Sequence, residues 1–157
     1  MLKKEAVSSA LLETLSGLMG VKSLKNYRLV EGTALALQMG HRVSVDIDLF
    51  STETNNYPLI ARDLSKKFGK KFEKARFLQS IHGKGLAVFI NGIKTDILDW
   101  RSPFIRKPIL LGGIRMSHKE DIIPMKFNAF LCSPEYARYE KKDYIDIAFL
   151  LKEYSLQ

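Results

Sequence analysis

Residues 32–52 read GTALALQMGHRVSVDIDLFST. Thr33 to Met39 has the high-propensity composition of a buried helix, and Gly40 is placed to end it. Val43 to Phe50 is β-branched and alternating, so it predicts a strand. Residues i and i+2 of a strand point the same way, which puts Asp46 and Asp48 on one face and Ile47 and Leu49 on the other. Aligned carboxylates repel, and burying them is costly without a compensating cation. That cation is a metal ion or a lysine, unless the pair simply faces solvent on an edge strand. Two carboxylates at this spacing can clamp a divalent ion, and an oxygen-only set suits Mg²⁺ or Mn²⁺ rather than zinc. Just upstream, Gly32 and Thr33 open the helix, where backbone amides and a glycine's close approach can hold phosphate.

A third carboxylate would complete a two-metal site. Asp96 in IKTDIL is the first choice, because it stands mid-strand in an otherwise apolar run with Lys94 on its face. Asp99, at the end of that run, is the second choice. Arg42 and Ser44 flank the Asp46 strand at the expected mouth of the site, to bind phosphate or to face water.

The 157 residues suit one domain, 1–157, with 117–157 as its C-terminal helical part. A 46% apolar and 27% charged composition is ordinary for a globular chain, and no apolar run reaches the ~18 residues of a membrane span. The opening MLKKEAVSSALLETLSGLMG has lysines followed by leucines, but Glu5 and Glu13 make it an amphipathic helix rather than a signal peptide. The expected location is cytoplasmic, with no membrane partner. Cys132 is the only cysteine, which excludes an intrachain disulfide and a cysteine-based zinc site. His41, His82 and His118 lack the spacing of a helical metal pair and read as surface or internally satisfied residues. A net charge of +8 favours polyanions such as nucleic acid or nucleotide phosphates. Walker-type and Gly-x-Gly-x-x-Gly phosphate motifs are absent.

Along the chain, helices are expected over 3–19, 33–39 and 58–68, the last with a first-turn proline at Pro58. A short strand is expected over 26–30. Three apolar runs, 72–81, 86–90 and 93–98, read as an antiparallel meander, its second turn made by Asn91-Gly92. Ser117-His-Lys-Glu120 matches a capping box before a helix running to about Leu131 despite Pro124. A last helix is expected over 138–154. There Asp143 and Asp146 share a face, to pair with Lys142 or another base. The fold class is mixed α/β (α+β), a mixed central sheet flanked by N- and C-terminal helices.

GTALALQMGHRVSVDIDLF resembles the signature of the nucleotidyltransferase superfamily in its AbiEii/AbiGii abortive-infection toxin version, which reads Gly-Gly-Thr-Ala-Leu-Ala-Leu, a basic-Ser segment, then Asp-h-Asp-h-Phe, h being apolar. SHKEDIIPMKFNAF is similar to the family's lysine-containing helix, and KKDYIDIAFLL to its closing motif. The matches keep the family's order from about residue 27 to 151. The resemblance implies a polymerase-beta-like nucleotidyltransferase fold. It implies that Gly32 and Thr33 sit against a nucleoside triphosphate (NTP), that Asp46, Asp48 and Asp96 hold Mg²⁺ or Mn²⁺, and that Asp96 helps deprotonate the acceptor hydroxyl. Lys126 would reach the phosphates, and Asp143 would sit near the acceptor or the metal. The reaction would move a nucleoside monophosphate to an acceptor hydroxyl, with RNA such as a tRNA 3′ end as acceptor. The protein would be the toxin half of a toxin–antitoxin or phage-defence pair, with a cognate antitoxin. One position departs: Glu31 replaces the first glycine of Gly-Gly-Thr and brings a negative charge to the phosphate seat. It either points away or weakens NTP binding, and the latter leads to the alternative, a catalytically degenerate module binding nucleotide or a partner.

Overall fold

A computed structural model describes residues 1–80, 83–131 and 140–154. Its centre is a seven-stranded mixed sheet in the order β3-β4-β5-β2-β1-β7-β6. The strands are β1 (Arg28–Leu29), β2 (Ile47–Ser51), β3 (Phe72–Ser80), β4 (Gly83–Ile90), β5 (Ile93–Asp99), β6 (Ile109–Leu111) and β7 (Ile114–Met116). The helices are α1 (Ser9–Met19), α2 (Glu31–Met39), α3 (Tyr57–Phe68), α4 (Lys119–Leu131) and α5 (Lys141–Glu153). β2 pairs parallel with β5 and antiparallel with β1. Leu11, Leu15 and Leu18 of α1 and Ile60 and Leu64 of α3 join Leu86, Val88, Ile90 and Ile97 in one buried core. Among the described residues, no helix is long and apolar enough to cross a membrane.

The meander forms, with its middle strand beginning at Gly83 rather than Leu86. Asn91 and Gly92 both take positive φ, 55° and 72°, as a two-residue turn whose twist matches its strands requires. The tip of the other hairpin, 81–82, lies outside the described residues, as do His82, Cys132 and positions 138–139 of the last expected helix. α2 ends at Gly40 in the left-handed conformation, where the absent Cβ removes the steric cost.

Other boundaries move for local reasons. The first helix begins at Ser9 rather than residue 3, because the Ser8 side chain accepts the Leu11 amide at 3.1 Å and caps it there. Val7 is thereby left extended to bridge Ser44. β1 shrinks to two residues. The strand expected from Val43 starts only at Ile47, so Asp46 lies just ahead of it. The β6–β7 hairpin was not anticipated; its signal was Gly112-Gly113, both at positive φ, between two short apolar runs. The capping box does not form. α4 starts at Lys119, Ser117 Oγ is buried without a hydrogen bond, and His118 Nδ1 accepts the Glu120 amide at 3.4 Å. Glu120 turns outward to Arg106, which donates from Nε at 2.5 Å.

Candidate active site

The parallel pairing of β2 with β5 places Asp48 directly across from Asp96. Both point to the face opposite the buried Ile47, Leu49 and Ile97, because side chains alternate along each strand. A cleft of about 670 Å³ opens over them. Asp46, Asp48 and Asp96 line it together with Glu31, Gly32 and Thr33 of α2, Arg42, Ser44, Lys126 of α4, and Lys142 of α5. Trp100 and Met125 form an apolar flank, with Phe50 stacked on Trp100 at 5.3 Å between ring centroids. Eight of the nine residues expected from the sequence to carry the site are thus brought to one cleft. The ninth, Asp143, lies just behind the cleft wall, fully buried and bonded to Lys126.

The carboxylate row is short of positive charge. Burial, followed by the neighbouring charges of Glu31 and Asp96, pushes the Asp48 carboxyl up to about 7. Asp96 Oδ1 is buried with no hydrogen-bond partner. Its other oxygen accepts from Lys94 Nζ at 2.7 Å, and Lys142 Nζ stands 3.7 Å from Asp46 Oδ2. Lysines are therefore the counter-charges in this structure. Among the described residues, no three acidic, histidine or cysteine side chains are closed into a metal-binding cluster. The donor set nevertheless fits a hard divalent cation: three carboxylates, an orphaned buried oxygen, and a proton affinity raised by burial and by like charges that a cation would offset.

Behind the cleft wall lies a second acidic group, and cations surround its centre, Asp146. Arg42 donates to Asp146 in bidentate fashion, from Nε at 2.6 Å and Nη2 at 2.9 Å. His41 Nε2 meets Asp146 Oδ1 at 2.7 Å, and Lys126 Nζ lies 3.1 Å from its other oxygen. Burial pushes the Asp146 carboxyl up, but the Arg42 and His41 hydrogen bonds and the Lys126 charge outweigh it and hold it well below the usual range. Lys126 is 1% exposed and also contacts Asp143 at 2.9 Å and Glu31 at 2.7 Å. Burial works against its charge, yet Glu31 and the aspartates raise its pKa above the ordinary lysine value. Asp146 and His41 organise this cluster, and Lys142 pairs with Asp46 and Glu140 rather than with either α5 aspartate. The sequence carried a signal for Asp146, an acid placed on the same helical face as Asp143 and the core residue Leu150.

Three expected phosphate-seat residues serve the protein itself in this arrangement. Thr33 Oγ1 donates to the Asp46 carbonyl at 2.5 Å and shares a hydrogen bond of 2.7 Å with Ser44 Oγ, tying α2 to the Asp46 segment. Arg42 crosses Gly32 so closely that a Cβ there would lie 2.1 Å from Nη2. This is the close approach for which the position needs glycine. Glu31 adopts φ 58°, the left-handed region that glycine occupies freely and other residues rarely enter. Its carboxylate turns to Lys126, inward rather than away from the site. Asp99 belongs elsewhere, accepting from Tyr57 Oη at 2.5 Å and Asn55 Nδ2 at 3.1 Å beyond the end of the row.

This sheet, with a carboxylate row on β2 and β5 facing a helix start, has the fold of the nucleotidyltransferase class. Megavirus polyadenylate synthase superposes with a TM-score of 0.63 at 17% identity, over 92% of this chain and 32% of that one. JHP933 from Helicobacter pylori superposes with a TM-score of 0.63 at 18% identity, over 92% and 64%. The model of the nucleotidyl transferase AbiEii toxin family, of type IV toxin–antitoxin systems, matches residues 32–157, and the chain belongs to that family. The uncharacterized protein aq_aa25 of Aquifex aeolicus (strain VF5) is 28% identical over 145 residues, which are 90% of this chain and 66% of that relative.

Proposed function

We propose that this chain is a metal-dependent nucleotidyltransferase that moves a nucleoside monophosphate from an NTP to an acceptor hydroxyl, with RNA as the acceptor class. The observation that carries the reading is the Asp48–Asp96 register pair at the floor of the cleft, under-compensated in charge and open toward the start of α2. The acceptor oxygen attacks the α-phosphorus, the bond from that phosphorus to the α–β bridging oxygen breaks, and pyrophosphate leaves. Asp96 accepts the acceptor's proton. Asp46, Asp48 and Asp96 would hold Mg²⁺ or Mn²⁺, whose charge stabilises the attacking and leaving oxygens. Lys94 and Lys142 supply counter-charge to Asp96 and Asp46. Lys126 supports the phosphate side electrostatically from behind Glu31, and Asp143 and Asp146 fix its position. Gly32, Thr33, Arg42 and Ser44 shape the seat at the start of α2. The family's toxin–antitoxin setting supports a cognate antitoxin partner, and NTP and RNA as substrates support a cytoplasmic location.

Incubation with α-labelled NTP, Mg²⁺ and total cellular RNA tests this. Label should enter RNA with release of pyrophosphate, and Asp48→Ala should abolish it. Label transfer that survives Asp48→Ala sinks the site assignment.

A second reading, a nucleotide- or partner-binding module without catalysis, is favoured by Glu31. Its carboxylate already occupies Lys126, and its charge already acts on Asp48. Tight NTP binding with no labelling of any acceptor would select it.

A further inference from the structure

Beyond Asp96 the strand register carries the face of the carboxylate row onto β4 and β3. Register carries the Asp48–Asp96 row onward to Ala87 of β4 and Arg76 of β3. The neighbouring row runs from Lys94 to Phe89, and the β3 position across from Phe89 belongs to Lys74. The helices that pack on this end of the sheet take its other face, where Leu86, Val88, Ile90 and Ile97 are buried in the core. On the open face Phe89 is 39% exposed, and Arg76 and Lys94 are exposed. Gly85 and Ala87 keep the middle strand low, and Leu98 lies over Gly85, where a Cβ would meet it at 2.2 Å.

We infer that this open face of β3, β4 and β5 is the seat of the acceptor strand, and that it takes single-stranded RNA. The inference rests on the nucleotidyltransferase reading for its direction, since the face leads into the carboxylate row. The chemistry of the face is its own argument. An exposed aromatic ring on a sheet face, with Arg76 and Lys94 exposed on the same face, stacks an unpaired base while cations meet the backbone phosphates. A duplex hides the base faces that Phe89 would stack on. An acidic polypeptide would use the cations but gain nothing from the ring. Beyond Asp96, the positions of β3 and β4 that share this face, Lys74, Arg76, Leu78, Gly85, Ala87 and Phe89, include no acid, which suits a polyanion. The chain's charge of +8 points the same way.

The test is binding rather than turnover. Fluorescence anisotropy would follow a labelled mixed-sequence single-stranded 12-mer RNA, the same RNA as a blunt duplex, and poly-glutamate, each titrated with the full chain. Calorimetry would follow Mg²⁺·ATP separately. Phe89→Ala should weaken the single strand by roughly 5- to 150-fold, the range for one lost base stack. Arg76→Glu should weaken it and flatten its salt dependence. Both side chains are exposed, so both variants should fold, and circular dichroism checks that. Nucleotide binding should not change in either. Unchanged single-strand affinity in both variants overturns the inference, as does a loss confined to duplex or to poly-glutamate. If single-stranded RNA binds through Phe89 but no nucleotide binds or transfers, the surface stands and the transferase reading falls.

Discussion

Asp48 and Asp146 are the same residue type, linked through Glu31, and shifted in opposite directions. Asp146 is fully buried, yet holds its charge firmly, because Arg42, His41 and Lys126 surround it. Asp48 is driven up to about 7, by burial first and then by the charges of Glu31, Asp96 and Asp46, which Lys94 only partly offsets. Burial alone therefore does not separate them; the local charge balance does. The α4–α5 cluster is a finished structural unit. The β2–β5 row is short of positive charge. Removing one charge should have opposite consequences in the two places.

The largest effect is expected in the Asp146 cluster. Lys126→Met would leave Glu31, Asp143 and Asp146 facing one another with one cation fewer, and breaking a buried ion group by deleting a partner costs about 3–5 kcal/mol. Equilibrium urea unfolding at pH 7 should show that loss. A loss under about 1 kcal/mol would mean that Lys126 is solvated and the comparison fails. Gly32→Ala should act on the same cluster more gently. The new methyl would collide with the Arg42 guanidinium and break its bidentate hold on Asp146, while His41 and Lys126 remain. A loss of about 1–3 kcal/mol is expected, the worth of hydrogen bonds to a charged group. Arg42→Ala in the Gly32→Ala background should then cost little more.

In the row the sign should reverse. The Asp48 carboxyl titrates near 7 in the folded chain and near ~3.9 unfolded, so between those values the folded state binds more protons. Stability of the metal-free protein should then fall as pH rises from about 4 to about 7. Asp48→Asn removes that dependence. By thermal melting it should match the wild type near pH 4 and exceed it at pH 8 by about 1–2 kcal/mol, a figure reduced for partial solvent contact. Millimolar Mg²⁺ should stabilise the wild type at pH 8 and do less for Asp48→Asn. A wild type more stable than Asp48→Asn at pH 8 without metal would end the claim that the row is under-compensated.

The legibility of the two regions differs for a physical reason. The row was visible in the sequence because strand alternation is strictly local: Asp46, Ile47, Asp48 declare their faces without any partner. Asp96 was visible as one acid in an apolar run. The Asn91-Gly92 turn and the Gly40 stop were visible because positive φ restricts residue choice. The compensated cluster was hidden because it joins residues 31, 41, 42, 126, 143 and 146 from four segments, and no spacing rule links them. The false capping box at Ser117 failed similarly: the local pattern was right, but Glu120 had Arg106 available, supplied by a distant loop. The first helix is shorter than its leucine stripe suggests for a local reason, the Ser8 cap, which the stripe does not register.

Glu31 joins the two regions, and its replacement should give the smallest but most informative effect. It holds a conformation that costs a non-glycine residue about 1 kcal/mol, and it persists because its carboxylate reaches Lys126. Glu31→Gly would relieve the backbone and remove the ion pair together, so stability should move by less than about 1 kcal/mol. The electrostatic consequence does not cancel. Lys126 would keep Asp143 and Asp146 but lose the partner nearest the cleft, and Asp48 would lose the largest of the like charges acting on it. A nucleotide bringing several negative charges to the start of α2 should then bind more tightly, by roughly tenfold, or about 1.4 kcal/mol. Calorimetry with a non-hydrolysable NTP analogue and Mg²⁺ measures this directly. Weaker binding in Glu31→Gly would show that the carboxylate serves the bound nucleotide, as a support for Lys126 or as a further oxygen for the cation, and does not compete with it.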